Sequence, residues 1–399
     1  MINIGLLGLG TVGQGLVDIL DKRNDHIIDE QINIKKILVR NLEKERQVQV
    51  SRDKLTLDPN DIVEDEEIDV VIEVTGDVDL SYRLLKRAME KKKDVITANK
   101  ALVSAYFEEL SYLAEDNGVY FLYEASVAGG IPILKPLKDQ MRLNEISKVE
   151  GILNGTCNYI LTKMTDEFLD YGQVLKDAQK LGYAEADPSS DVEGTDTMRK
   201  LRILATMALG GSITEDDIIC DGIDSISAVD IQLLRDKGRL VKLIGQAKEV
   251  EGGYEAIVQA KAVRLNDYFA GVKDAFNSVS VEGDFVGTLK FYGAGAGMYP
   301  TANAVLTDLI DCIIGTQDKT SPLRGRKLVN KNEDIKGKYY LRISNWNNDD
   351  GLIIKEITDE KLLDSKKDLA IITREIKLFE LLDKLAEIDK DFSLISLED

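Results

Sequence analysis

A single histidine, His26, occurs among the 399 residues. Histidine is the usual proton carrier near neutral pH, so acid–base chemistry in this chain falls to Lys, Asp, Glu or Tyr. One stretch gathers these types. Residues 187–200, DPSSDVEGTDTMRK, hold Asp187, Asp191, Glu193 and Asp196 and close on Arg199 and Lys200. Asp196 and Lys200 stand four apart and share a face if the segment is helical. An exposed pair at this spacing contributes only about 0.3–0.5 kcal/mol and serves a plain surface helix equally well. With Glu185, however, the loop before the helix carries more carboxylate than one cap needs. The segment therefore reads either as a well-capped helix entrance or as a site for a cationic group beside an acid/base lysine. A helix is expected from about Glu193 to Ala208, with Asp191 and Glu193 at its entrance and Asp196 and Lys200 facing inward.

His26 lies in a polar stretch, DKRNDHIIDE, expected to follow the first helix at the surface, which leaves histidine-based mechanisms without a base. Three cysteines, Cys157, Cys220 and Cys312, are far apart with no metal-binding spacing, so neither a disulfide framework nor a zinc site is expected. No run approaches the ~18–20 apolar residues of a membrane span. The first residues, MINIGLLGLG, lack the basic and long apolar regions of a signal peptide. These features point to the cytoplasm. A net charge of −20 repels polyanions, which argues against nucleic acid and anionic membrane as partners but leaves room for a small anionic cofactor.

Such a cofactor has an evident seat. The apolar run INIGLL (residues 2–7) is followed by Gly8-Leu9-Gly10-Thr11-Val12-Gly13 and an amphipathic stretch through Leu20, the strand–turn–helix context that a GxGxxG pattern requires. Gly8 permits the tight turn, Gly10 lets backbone approach a pyrophosphate, and Gly13 lets helix and strand pack closely. The helix start offers unpaired N–H groups to the phosphates. The next strand, Ile34–Val39, ends on Arg40 and Asn41, with Lys44 and Arg46 beyond. An arginine where NAD-binding folds carry an acid suits a 2′-phosphate, so NADP(H) is favoured and NAD(H) remains possible. Strands at Ile68–Thr75, Asp94–Thr97 and Val119–Leu122 alternate with helices at Ser81–Lys93 and Ser104–Asp116. This alternation implies a parallel, doubly wound sheet with ligands at the strands' C-terminal ends, which bring Thr97, Lys100 and Glu124 to the cleft.

Several further segments carry an identity: TANKALVS (97–104), EASVAGGIPI (124–133), GILNGTCNYILTKM (151–164), AQKLGYAEADPSSDVEGTDTMRKL (178–201) and YGAGAGMYPTANAV (292–305). In this order and spacing, over roughly residues 1–315, the chain closely resembles homoserine dehydrogenase. The resemblance implies reversible NAD(P)H-dependent reduction of L-aspartate 4-semialdehyde to L-homoserine, in threonine, methionine and isoleucine biosynthesis. The substrate is a zwitterion; its ammonium calls for carboxylates, and the oxyanion formed by hydride addition calls for a proton donor. On the family's pattern, Glu185 and Asp196 match the substrate-holding acids, with Asp191 counted beside them. Lys200 matches the proton donor, and Lys100 a second lysine between cofactor and substrate. Thr11, Val12, Gly182 and Gly295 match cofactor contacts. Glu124, Val127, Gly129 and Ile131 match a sodium site built from main-chain carbonyls. Lys100 and Lys200 compete for the donor role; Lys100 has the alternatives of polarising the carbonyl or holding a phosphate, and the resemblance ranks Lys200 first. Cys157, in NGTCNY, invites a thiol mechanism like that of aspartate-semialdehyde dehydrogenase, but no histidine base accompanies it and a small buried cysteine is expected.

The fold class expected is α/β: a Rossmann-type doubly wound parallel sheet with a second α+β catalytic and dimerisation domain and a short ACT-like C-terminal tail. The domains run over 1–130, completed by a helix near 300–315 that starts at Pro300-Thr301, then 131–298, then 325–399. Alternation at Arg239–Ala247 and Tyr254–Val263 suggests a sheet whose apolar face needs cover, hence a homodimer or homotetramer. In the tail, 338–344 resembles the first ACT strand, and Phe379–Ile388 and Phe392–Leu397 the last helix and strand. The middle looks too short for the usual helix, strand and hairpin, so a degenerate module that pairs between subunits without binding an amino acid is expected. A different reading is a nucleotide-binding regulatory protein that has lost its chemistry. It predicts damage at Lys100, Glu185, Asp196 or Lys200, and all four are present.

Overall fold

The computed structural model describes residues 1–27, 32–346, 351–365, 367–388 and 390–398. By Cα proximity the chain resolves into two compact units, the first made of Met1–Ile146, Arg202–Ser212 and Glu282–Lys327, the second of Ser147–Leu201, Ile213–Val281 and Leu328–Asp399. The sequence reading instead set boundaries at 130, 298 and 325.

In the first unit, strand β1 (Ile2–Leu7) leads through the glycine turn into helix α1 (Thr11–Ile27). His26 is thus in the last turn of that helix rather than after it; its side chain lies outside the described residues. Next come β2 (Ile32–Leu38), β3 (Leu55–Thr56), the short α2 (Asn60–Val63) and β4 (Val70–Glu73). Then follow α3 (Val78–Glu90), β5 (Asp94–Thr97), α4 (Lys100–Asn117), β6 (Phe121–Leu122) and α5 (Leu134–Gln140). The six strands form one parallel sheet in the order β3-β2-β1-β4-β5-β6, the doubly wound arrangement. Its central strands are near-continuous apolar runs because helices cover both faces: Ile4, Leu6, Val71 and Ile72 are fully buried or nearly so. Helix α4 starts four residues earlier than its periodicity indicates. Asn99 caps it by accepting a hydrogen bond from Leu102 N at 3.1 Å, so Lys100 is a first-turn residue and not part of a loop.

The second unit holds most of β7 (Ile146–Ile152), then α6 (Gly155–Glu167), α7 (Tyr171–Leu181) and α8 (Ser189–Val192). The first seven residues of helix α9 (Thr195–Leu209) follow, then β8 (Ile219–Cys220), α10 (Ala228–Asp236), β9 (Arg239–Val250), β10 (Gly253–Arg264) and most of β11 (Phe276–Gly283). The expected Glu193–Ala208 helix appears as the single helix α9, two residues later at its start and one at its end; Gly194, with a φ of +87°, separates it from the short α8 just before it. β9 and β10 pair antiparallel over twelve residues each, longer than the alternation alone indicates. Strand β12 (Gly287–Ala294) and helix α11 (Met298–Ile314) return to the first unit. α11 packs on α1 at Gly15, where a Cβ would meet Met298 at 2.9 Å, and Tyr299 donates a hydrogen bond to Asp18.

The tail comprises β13 (Lys336–Gly337), β14 (Tyr339–Ser344), α12 (Gly351–Ile357), β15 (Thr358–Asp364) and β16 (Asp368–Thr373). It ends with β17 (Ile376–Lys377), α13 (Leu378–Ile388) and β18 (Phe392–Leu397). The middle segment is thus long enough: it builds a helix, a strand and a hairpin, because a seven-residue helix with Ile354 and Ile357 buried suffices to cover the sheet. Residues 347–350 of that segment lie outside the described residues. The four main strands order as β18-β14-β16-β15, and β18 runs on to β10 through Lys261–Ser396 and Ala262–Leu397. One sheet, β11-β7-β9-β10-β18-β14-β16-β15, accordingly spans the second unit. Tyr339, Leu341, Ile371, Leu381 and Leu385 of the tail share a core with Ile257 of β10.

Candidate active site

The glycine turn behaves as its spacing predicts. Gly8 has a φ of +106°, a Cβ on Gly13 would sit 2.4 Å from the Gly8 carbonyl, and the space over Gly10 is open. Thr11 and Val12 begin α1, so their N–H groups belong to its unpaired first turn. Beside the turn lies a cavity of about 550 Å³ lined by Gly8, Gly10, Arg40, Lys44, Arg46 and Thr75 among others. Three of its lining side chains are cationic and none is a carboxylate. Arg46 is braced by the carbonyls of Lys44 and Asn41 at 2.8 and 2.6 Å. Arg40 is largely exposed and reaches Asp77 at 3.5 Å. A polyanion with a phosphate near Arg40 suits this lining.

Thr97 lies at the end of β5 but not as an exposed contact. It is fully buried; its hydroxyl donates to Glu73 Oε2 at 2.6 Å and accepts from Asn99 N at 3.0 Å. Glu73, also fully buried, accepts from the Thr75 hydroxyl and N–H at 2.7 Å each. A buried carboxylate that the sequence reading passed over therefore ties together the ends of β4 and β5 and seats the turn bearing Lys100.

The loop from Glu124 to Ile131 is unusual in its backbone. Ala128 and Gly129 both adopt left-handed conformations, φ +55° and +57°, and a Cβ on Gly129 would lie 2.3 Å from the Gly295 carbonyl. Gly130 N donates to Ala294 O. Gly295 is thus packed against this loop. Among the described residues, the carbonyls of Val127, Gly129 and Ile131 accept no backbone hydrogen bond. The Glu124 side chain is occupied otherwise: its carboxylate accepts the N–H groups of Ile133, Leu134 and Lys135 at 2.5, 2.7 and 2.8 Å, capping α5.

The acids and lysine of residues 187–200 divide. Lys200 Nζ donates to Asp196 Oδ2 at 2.6 Å and to the Leu153 carbonyl at 2.8 Å; the two residues are only 9% and 2% exposed. Asn154, at the N-cap of α6, accepts from Cys157 N and donates to Asp191 Oδ1 at 2.7 Å and Asp196 Oδ2 at 2.9 Å. One amide thereby bridges two carboxylates. Burial pushes the Asp191 carboxyl up, the Asp196 charge adds to this, and Asn154 opposes it. Asp191 does not serve the α9 entrance: it sits on α8 and faces Asn154, since Gly194 turns the chain between them. Glu193 is exposed and its carboxylate is not part of this cluster. Glu185 stands exposed on the loop after α7, which ends at Gly182 with φ +79°. That loop is tied to α6 by Thr156 Oγ1, which donates to Tyr183 O at 2.7 Å. Cys157 is wholly buried, donates through Sγ to Asp191 O, and burial raises its thiol well above the usual range.

Asn154 was within reach of sequence reasoning, because asparagine ahead of a helix is a capping signal. Asn277 was not. Its Nδ2 donates to the same Leu153 carbonyl at 2.8 Å from 124 residues away, and nothing local to FNSVSV marks it.

A dinucleotide turn on a parallel sheet, in a chain that also holds a buried lysine–carboxylate cluster, fits the class of nicotinamide-dependent oxidoreductases. Comparison with known proteins makes this particular. Residues 8–124 match the family model "Homoserine dehydrogenase, NAD binding domain" and residues 132–310 the model "Homoserine dehydrogenase". The homoserine dehydrogenase of Synechocystis sp. is 44% identical over 317 residues, 78% of this chain and 73% of that protein. That of Lactococcus lactis is 36% identical over 423 aligned residues, 99% and 98% of the two chains. The crystal structure of a homoserine dehydrogenase from Thiobacillus denitrificans superposes with a TM-score of 0.89 at 35% identity, covering 100% of this chain and 98% of that one. The chain belongs to the homoserine dehydrogenase family, whose members are NAD(P)-dependent oxidoreductases acting on a CH–OH group.

Proposed function

We propose that this chain interconverts L-aspartate 4-semialdehyde and L-homoserine with Lys200 as the proton donor. The observation that carries the assignment is the doubly anchored ammonium of Lys200, held by Asp196 Oδ2 and Leu153 O. An ammonium has three N–H groups; two are taken, and the third remains for a substrate oxygen. Bound cofactor supplies the hydride. As negative charge grows on the aldehyde oxygen, Lys200 stabilises it and transfers a proton; in the reverse direction the neutral amine takes the hydroxyl proton. Asp196, bridged through Asn154 to Asp191, compensates the charge of Lys200 and supplies negative potential for the substrate ammonium. Glu185, on a loop pinned to α6, is the further acid for that ammonium.

Lys100 suits a different task. It sits in the first turn of α4, where the helix dipole opposes a cation and favours an anionic neighbour, so it holds cofactor or polarises the carbonyl. Arg40, Lys44 and Arg46 favour NADP(H) over NAD(H), with Thr11, Val12, Gly182 and Gly295 as backbone contacts. The carbonyls of Val127, Gly129 and Ile131, which among the described residues accept no backbone hydrogen bond, fit a sodium ion together with that of Glu124, which accepts from Val127 N at 3.3 Å, since carbonyl oxygens suit a hard cation. It would hold the left-handed loop against Gly295.

A homodimer or homotetramer agrees with Phe285, 84% exposed, and with exposed Tyr292 on β12. An exposed thiol at Cys220 agrees with a reducing cytoplasm, and no described helix is long and apolar enough to cross a membrane. The tail is read as a structural module, because its sheet continues into β10. Calorimetry with threonine tests that reading, and binding would reverse it. The test of the whole is consumption of NADPH or NADH with aspartate semialdehyde; if neither is consumed, the assignment fails.

A further inference from the structure

We infer that Asn277 is a positioning residue for the proton donor, acting through the Leu153 carbonyl. The inference rests on the role proposed for Lys200. Proton transfer needs Nζ fixed within a few tenths of an ångström of its line to the substrate oxygen. Asp196, four residues back on the same helix, fixes only one direction. The second anchor is Leu153 O, which is as well placed as the peptide that carries it. Asn277 Nδ2 also donates to that oxygen at 2.8 Å, so the carbonyl receives two donors, filling its two lone pairs.

Asn277 is itself held from the far side. Asn158 Nδ2 faces the carbonyls of Val272, Asp274 and Phe276 at 3.2, 3.0 and 3.1 Å, gathering the loop that delivers Asn277. Lys242 Nζ donates to Asn158 Oδ1 at 2.9 Å and to Val272 O at 2.5 Å. An ammonium only donates, so Lys242 forces the amide of Asn158 into the orientation the loop requires. The loop in turn presses on the start of α6: a Cβ on Gly155 would lie 2.7 Å from Ala275 O. Lys242, Asn158, the backbone of the largely exposed 272–276 loop, Asn277 and Leu153 O thus form one connected chain ending on Lys200.

One detail separates this from packing. Asn277 is fully buried, yet among the described residues its Oδ1 has no hydrogen-bond partner. A leucine would fill the same volume without an unpaired oxygen. A position selected only for packing gains nothing from the amide.

The test compares wild type with Asn277→Leu in homoserine oxidation, with kcat, both KM values, the pH–rate profile and the thermal midpoint. The expected result is a kcat lowered by about 30-fold or more, with cofactor KM within about twofold, a displaced pH–rate limb and an undiminished midpoint. A kcat within about threefold of wild type and an unmoved profile overturn the inference. Asn277→Ser, which removes the amide without adding bulk, serves with the same two outcomes where Asn277→Leu does not fold. Failure of both to fold also overturns it, by making Asn277 a folding residue. Wild type without turnover refutes the proposed function itself; active wild type with an indifferent variant refutes only the role of Asn277.

Discussion

Lys200 Nζ and Asp196 Oδ2 are 2.6 Å apart on one face of α9, and both side chains are nearly excluded from water. The same four-residue spacing on an exposed helix has little energetic weight. Buried, each charge depends on the other, because removal of one partner leaves the second uncompensated. The pair, to which the proposed function assigns proton transfer, is therefore a constraint on stability as well.

Lys200→Ala is expected to lower kcat by about 100-fold or more, the range general acid catalysis contributes, with little change in cofactor KM. Steady-state kinetics in both directions checks this. Equal losses in kcat and cofactor affinity would move Lys200 out of the donor role.

Replacement of Arg40 by Ala should raise the KM for NADP⁺ by roughly ten- to a hundredfold, the worth of a charge-assisted hydrogen bond to phosphate. The KM for NAD⁺ should change little. Equal effects on both cofactors would remove Arg40 from the 2′-phosphate site.

The thiol at position 157 should be dispensable. Its burial and raised pKa keep it neutral and unreactive near neutral pH. Cys157→Ala should retain kcat within about threefold, and iodoacetamide near neutral pH should leave activity intact, since burial also pushes the Cys220 thiol up to about 11. Inactivation that tracks labelling of Cys157 would contradict this.

Burial holds Lys242 down to about 8 from its usual 10.5. Between those values the unfolded chain binds more protons than the folded one, so this group adds stability as pH rises from about 8 towards 10.5, to a limit of about 3 kcal/mol. Below 8 both states are charged and the burial penalty is fully present. Its two hydrogen bonds survive deprotonation, since a neutral amine keeps two N–H groups. Denaturation of wild type and Lys242→Met across this window should show a difference between them that grows in favour of wild type as pH rises. Parallel curves would exclude it.

Asp230 binds the tail to α10 within the second unit. Fully buried, it accepts from Tyr340 Oη at 2.7 Å, from Arg342 Nε at 2.6 Å and from Ser227 at the start of α10. Asp230→Ala leaves a buried guanidinium unpaired and should cost about 3–5 kcal/mol, read from urea midpoints. A change below about 1 kcal/mol would mean that water replaces the carboxylate.

Much of the first unit was legible because its signals are local. An apolar run, three glycines and an amphipathic stretch dictate strand, turn and helix within a few residues of one another, and the Asp94–Thr97 strand appears with its expected limits. Phe392–Leu397 does so in the tail as well. Boundaries moved where caps compete with periodicity, as at Asn99 before Lys100 and at Gly194, which splits the helix entrance and turns Asp191 toward Asn154.

The sequence by itself determined that proton transfer falls to Lys, Asp, Glu or Tyr, because histidine is nearly absent, and that Asp196 and Lys200 share a face, because helical geometry places residues four apart together. Only the tertiary structure decided what surrounds that pair. Leu153 and Asn277 meet across 124 residues, and the Thr97 hydroxyl turns inward to Glu73. Such partners are chosen by which polar groups remain unpaired once the core closes. That is a property of the packed chain, and no short window of sequence contains it.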